Sequence, residues 1–144
     1  PLYLRSDKRV FTAMSFGTLD TRRKRLVYSS AGQTVPVLVR NGKTSYLKTK
    51  GVRLPLGVKE NLQYAEVQIK LKRDDVVVFY TDGISEARNT NDEQYGSERL
   101  EQLLKYVNSS SAKDIRERIF EDVRNFAGTT QQHDDMTVVV VKVN

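Results

Sequence analysis

The sequence has no cysteine, no tryptophan, one histidine and three prolines among 144 residues. Without cysteine there is neither a disulfide framework nor a thiolate zinc site. A lone His133 excludes a multi-histidine metal site. No apolar run approaches the length that crosses a bilayer, and Pro1 to Lys8 mix apolar and charged side chains without a signal-peptide core. These absences point to a cytosolic chain with no membrane span. What is present is a 38% hydrophobic, 29% charged composition with a formal net charge of +6. That is the composition of a globular protein, and the length suits one domain, residues 1–144.

The positive charge gathers in Arg22-Arg23-Lys24-Arg25 and across Lys43, Lys48, Lys50 and Arg53. A basic surface favours acidic partners, phosphoproteins among them. Nucleic-acid readers add interleaved aromatics or a recognition helix to such runs. Neither accompanies these, so they read as solvated turns and strand faces, and no nucleic acid is expected as a partner.

The first two thirds of the chain read as strands. Val10 to Leu19 closes at the turn Asp20-Thr21, Arg25 to Ser30 follows, and Val35 to Arg40 ends in the hairpin signal Asn41-Gly42. Thr44 to Thr49 is its expected return strand. In Ala65 to Leu71, Ala65, Val67, Ile69 and Leu71 alternate with Glu66, Gln68 and Lys70, the pattern of a sheet with one buried face. Arg73-Asp74-Asp75 is a turn, and the continuous run Val76 to Tyr80 is a central strand.

Two helices follow. The first is expected to start at Ser97 as N-cap and carries Leu100, Leu103, Leu104 and Val107 at helical spacing. Ser109-Ser110-Ser111 separates it from a second, with Ile115, Ile119, Phe120, Val123 and Phe126 on one stripe and Gly128 at its end. Met136 to Val143 returns as a strand. Strands, then helices, then one last strand argue an α+β fold with helices on a mostly antiparallel sheet.

Two acidic motifs sit at strand ends: Thr81-Asp82-Gly83 after Val76 to Tyr80, and Asp134-Asp135-Met136-Thr137 before Val138 to Val141. A carboxylate at the tip of a buried strand is rigidly held yet open to solvent. Hard divalent cations such as Mg²⁺ and Mn²⁺ take oxygen ligands, and aspartate is the shortest anionic one. Asp82 and Asp134 are therefore candidate metal ligands for metal-assisted hydrolysis. The competing reading is that both are ordinary turn residues, since Asp-Gly is a common turn signal.

An ordered set of segments resembles one family. Phe11-Thr12-Ala13, Leu19-Asp20, Ala31-Gly32-Gln33 and Leu54-Pro55-Leu56-Gly57 come first. Tyr80-Thr81-Asp82-Gly83-Ile84-Ser85-Glu86-Ala87, Tyr95-Gly96 and Asp134-Asp135-Met136-Thr137 follow. The set is similar to the metal-dependent protein phosphatases (protein phosphatase 2C-like), in the bacterial branch of the stage II sporulation E type.

The resemblance implies an α/β/β/α sandwich of antiparallel sheets flanked by helices. It implies two Mn²⁺ or Mg²⁺ ions around a bridging water that attacks a phosphoserine or phosphothreonine, with no side chain serving as covalent nucleophile. Asp82 and Asp134 match metal ligands. Gly83 takes a structural part, Asp135 a supporting one, and Glu86 lies near the place of a weaker additional metal. Gln33 stands where this branch usually has histidine, so an uncharged amide replaces a titratable ring.

The family's Gly-Asp…Gly-His-Gly segment has no counterpart here. Upstream of Asp82 the aspartates are Asp7, Asp20, Asp74 and Asp75, none in that setting. The chain thus resembles the C-terminal part of such a domain, without its first strands and helices. Two ligands without the bridging aspartate are expected not to hold a dinuclear site.

The function implied is a bacterial phosphoprotein phosphatase acting on a phosphorylated anti-sigma-factor antagonist in stress or developmental signalling. The alternative is a catalytically inactive phosphatase-like module that binds a phosphoprotein or kinase. Uncovered sheet edges tend to pair with another chain, so a homodimer is a further expectation.

Overall fold

The computed structural model describes residues 11–107 and 110–144. The expectations placed on Asp7, on the strand start at Val10 and on Ser109 lie outside them. The chain divides into two compact units, Pro1–Val35 with Leu47–Lys72, and Pro36–Tyr46 with Arg73–Asn144. Every strand pair in both is antiparallel.

The first unit holds a three-stranded sheet in the order β1-β2-β5, with β1 Met14–Asp20, β2 Arg25–Ala31 and β5 Glu66–Lys70. Alternation sorts its side chains. Leu26 and Tyr28 of β2 are buried, and Val67 and Ile69 of β5 lie opposite them on the same face. Glu66, Gln68 and Lys70 point the other way and are exposed, as the period-two pattern requires. Beyond β2, Gly32 adopts φ +81°, and a Cβ there would lie 2.6 Å from Pro55 Cγ. Only glycine relieves both constraints. That contact seats the Ala31-Gly32-Gln33 segment on Leu54-Pro55. The Tyr64 hydroxyl fixes the same loop by donating to the Leu54 carbonyl at 2.9 Å.

The second unit holds a four-stranded sheet in the order β4-β3-β6-β7, with β3 Val37–Arg40, β4 Lys43–Tyr46, β6 Val76–Tyr80 and β7 Val138–Lys142. Asn41 and Gly42 both have positive φ, 52° and 70°, the requirement of a type I′ hairpin turn. The return strand stops at Tyr46, three residues short of the expected Thr49. β6 is central, paired to β3 on one side and β7 on the other, and Val76, Val77 and Val78 are fully buried.

Among the described residues this unit has three helices: α1 Asp82–Ser85, α2 Ser97–Leu104 and α3 Ala112–Ala127. Their apolar stripes (Leu100 and Leu104; Ile115, Ile119 and Val123) share one core with Val37, Val39, Val76 and Val78. At about 25 cal/mol per Å² of apolar surface, these fully buried aliphatic side chains are the main force holding helices to sheet. The start of α2 corrects the expectation at Ser97. Gly96 is the N-cap, with φ 78°, and Ser97 is the first helical residue. A φ in that region suits glycine, so the boundary moves back by one. Ser111 caps α3 through a reciprocal capping box with Asp114, and Gly128 ends that helix with φ 59°.

The pair Arg40–Asp75 is the best-buried charge in the unit. The guanidinium donates to both carboxylate oxygens at 2.9 and 2.6 Å, and Asp75 is 1% exposed. This bidentate hydrogen bond, reinforced by the carboxylate charge, raises the arginine pKa despite the opposing effect of burial. It locks the end of β3 to the start of β6.

Candidate functional site

β6 and β7 run antiparallel with Tyr80 opposite Val138. The C-terminal end of one and the N-terminal end of the other therefore emerge together. Thr81-Asp82-Gly83 leaves β6 where Asp134 to Thr137 enters β7. The two segments are stitched at three points. The Thr81 N–H donates to the Thr137 carbonyl at 3.1 Å. The Thr81 hydroxyl donates to the Asp135 carbonyl at 3.0 Å and accepts from the Thr137 N–H at 2.9 Å.

Gly83 completes the junction. A Cβ at this position would collide with the Asp135 carbonyl oxygen and come within 2.9 Å of its carbonyl carbon. The glycine is needed for close approach, and its φ is not the issue. Hydrogen bonding across the junction is therefore backbone-tight, and it fixes where the flanking carboxylates begin.

Asp82 opens α1, a helical turn where a simple Asp-Gly turn was the competing expectation. Its carbonyl accepts from the Glu86 N–H at 2.7 Å, and its Oδ1 accepts from the Gly83 N–H at 3.1 Å. Asp134 Oδ1 accepts from the Asp135 N–H at 2.7 Å, and Gln132 Nε2 donates to the Asp134 carbonyl at 2.8 Å. Asp82, Glu86, Asp134 and Asp135 are all exposed. Each has an oxygen left for a further partner.

Glu86 and Asp134 also line a cavity of about 380 Å³, together with Gly83, His133, Val123, Ala127 and Met136. His133 is an exposed member of that wall. Gln33 belongs to the other unit. Its carbonyl accepts from Arg53 Nη2 at 3.1 Å and from the Ser30 hydroxyl at 3.5 Å.

The donor set fits a hard divalent cation in kind. Mg²⁺ is commonly held by one or two carboxylates with water completing its shell, and Asp82 and Asp134 offer that pair at adjoining strand ends. In number the fit is partial: among the described residues, no three Asp, Glu or His side chains converge as a metal cluster. The residues that sequence reasoning missed here are Thr81, the clamp between the two segments, and Gln132, which orients the Asp134 backbone. A threonine immediately before Asp-Gly and another at Thr137 were the available signal.

The chain is 27% identical over 138 residues to the protein IcfG of Synechocystis, covering 96% of this chain and 22% of that protein. It is 23% identical over 136 residues to the phosphoserine phosphatase RsbU of Bacillus subtilis, covering 94% of this chain and 40% of RsbU. It thus spans well under half the length of either relative. Its fold is that seen in the solved PP2C phosphatase domain, with a fragment of the regulatory domain, of the Bacillus subtilis cell-fate determinant SpoIIE. The TM-score is 0.82 at 22% identity, over 99% of this chain and 41% of that one. The model of the stage II sporulation protein E (SpoIIE) family matches residues 2–144, and the chain belongs to that family.

Proposed function

We propose that this chain carries part of the metal site of a phosphoprotein serine/threonine phosphatase, with Asp82 and Asp134 as ligands of Mn²⁺ or Mg²⁺. The observation that carries the reading is the junction at which Thr81 and Gly83 bring the two aspartate-bearing strand ends together. A bound divalent cation supplies Lewis acidity, lowering the pKa of water and neutralising charge on phosphoryl oxygens. The chain's own part is positional. Asp82 is anchored by the first turn of α1, and Asp134 by Gln132 and its own backbone. Asp135 and Gly83 hold the two segments at a fixed separation, and Glu86 stands beside the cavity as a supporting carboxylate. Gln33 is assigned a supporting part on the family resemblance alone.

The substrate class is a phosphoserine or phosphothreonine protein. The family membership and the likeness to a phosphoserine phosphatase support it. A phosphorylated anti-sigma-factor antagonist in a bacterial signalling pathway is the specific substrate we propose. The second reading, a catalytically inactive binding module, is favoured by the absence of a three-carboxylate cluster among the described residues.

The test is phosphate release from a phosphoserine protein by the full-length protein in Mn²⁺, alone and with Asp82→Asn or Asp134→Asn. The proposal expects turnover that either substitution removes. Turnover that survives both would place the metal elsewhere. Phosphopeptide binding without turnover would establish the inactive module instead.

A further inference from the structure

We propose that Tyr95 is a positioning residue for the metal site: its hydroxyl bond to Asp122 holds the α1 turn, and with it Asp82 and Glu86, against helix α3. The inference rests on the reading of Asp82 and Asp134 as metal ligands and concerns how the Asp82 side of that site is kept in place.

α1 needs a hold from outside itself. It is a single turn of four residues, and one turn alone is unfavourable because few hydrogen bonds offset the residues it fixes. Thr81, its N-cap, gives it no side-chain bond, since that hydroxyl is engaged with Asp135 and Thr137. The other end is held by one dipeptide. The Gly96 N–H donates to the Ser85 carbonyl at 2.9 Å, and the Tyr95 N–H donates to the Ala87 carbonyl at 2.8 Å. Glu86 lies between these two anchored residues, and its own N–H returns to the Asp82 carbonyl at 2.7 Å. A shift of Tyr95-Gly96 therefore carries Glu86 and Asp82 with it.

The Tyr95 side chain fixes that dipeptide. It is 3% exposed, and its hydroxyl donates to Asp122 Oδ2 of α3 at 2.6 Å. A hydrogen bond to a charged acceptor is stronger than one between neutral groups. Arg99 of α2 donates to the same oxygen through Nε at 3.3 Å. Its guanidinium lies over the rings of Tyr95 and Phe126, 5.6 and 4.8 Å from their centroids, within the reach of cation–π attraction. The two rings meet edge to face at 5.5 Å. Helices α2 and α3 thus converge on the side chain whose backbone holds α1. A phenylalanine here keeps the ring contacts and loses only the bond to α3, which separates the hydroxyl from the packing.

The test measures Mn²⁺ binding by calorimetry, and amide exchange, in the full-length protein under conditions where circular dichroism shows every variant folded. Tyr95→Phe and Asp122→Ala are each expected to weaken Mn²⁺ binding about threefold to tenfold, the size of coupling carried through a chain of contacts. Both should quicken exchange at the N–H groups of Glu86, Gly96 and residue 95. The double variant should lose no more than either single, because both remove the same bond. Asp122→Asn keeps an acceptor for the phenol and should stay close to the parent. Arg40→Met lowers stability at the start of β6, away from Thr81, and should leave Mn²⁺ affinity unchanged, which separates positioning from loss of stability. Parent-like Mn²⁺ affinity in Tyr95→Phe, or equal weakening by Arg40→Met, would overturn the inference and leave the metal-site reading standing. A parent protein that binds no Mn²⁺ would overturn that reading and the inference with it.

Discussion

Gly83 and Asp135 meet backbone to backbone: a Cβ on residue 83 would run into the Asp135 carbonyl. Neither partner is the end of a flexible side chain, so an alanine here must move main chain on one side or the other. Gly83→Ala is expected to cost about 1–3 kcal/mol, the usual range for overpacking a tight contact. It should also weaken divalent-cation binding, because the two aspartate-bearing segments separate. Urea unfolding and calorimetric Mn²⁺ titration of the same variant measure both effects. An unchanged midpoint with unchanged affinity would show that the junction yields easily.

Thr81 makes both of its hydroxyl bonds across this junction. Thr81→Ser keeps the donor and acceptor and should be close to neutral. Thr81→Val keeps the shape and loses both bonds, so roughly 1–3 kcal/mol of stability is expected to go with them. Equal midpoints for the serine and valine variants would mean that the clamp contributes nothing.

Arg40 and Asp75 form a bidentate pair in which the carboxylate is 1% exposed. Arg40→Met should destabilise by about 3 kcal/mol because it strands a buried carboxylate. The double variant with Asp75→Leu should recover most of that loss. If the double variant is as unstable as the single, the cost lies in packing of the arginine stem.

The Tyr95 hydroxyl donates to Asp122 Oδ2 at 2.6 Å. Burial, and then the bond and charge of Asp122, push its pKa well above the ordinary value of 10.0. Burial likewise pushes Tyr80 up to about 12. In the unfolded chain these phenols lose their protons first, so the folded state binds more protons above pH 10. Stability from both groups is therefore full below about pH 10 and falls as pH rises beyond it. Tyr95→Phe should lower stability at pH 7 by about 1.5–3 kcal/mol, since a bond to a charged acceptor is lost. It should also make the alkaline decline shallower. Parallel pH–stability curves for the two proteins would contradict this account.

Much of the fold was legible because short-range patterns decide it. Alternation placed β5 to within a residue, and Asn41-Gly42 announced its turn because few other pairs tolerate two positive φ values. The valine run of β6 read as central because only a strand covered on both faces is apolar throughout. Boundaries depended on individual groups. Ser97 carried the usual N-cap chemistry, yet Gly96 holds the position, its φ being one that serine adopts poorly. The capping box of Ser111 with Asp114 is written in the sequence as Ser-Ala-Lys-Asp.

At the site, the residue types and the strand ends were readable, whereas the contacts between them were not. Asp82 and Asp134 are separated by fifty-one residues, and local pattern says nothing about which strand β7 will join. The pairing of Tyr80 with Val138 decides it, and with it the parts played by Thr81 and Gly83. The reason for Gly32 was hidden in the same way, since Pro55 lies more than twenty residues further on.

The central claim, that Asp82 and Asp134 hold one divalent cation together, is tested most directly by Mn²⁺ binding to four proteins. These are the parent, Asp82→Asn, Asp134→Asn and the double variant, followed by calorimetry or by the loss of the free Mn²⁺ resonance signal. Shared ligation predicts that each single substitution weakens binding about tenfold or more, roughly 1.4 kcal/mol. It also predicts that the double variant loses less than the sum of the singles, because the two groups act on one ion. Parent-like Mn²⁺ affinity in both single variants would contradict the account.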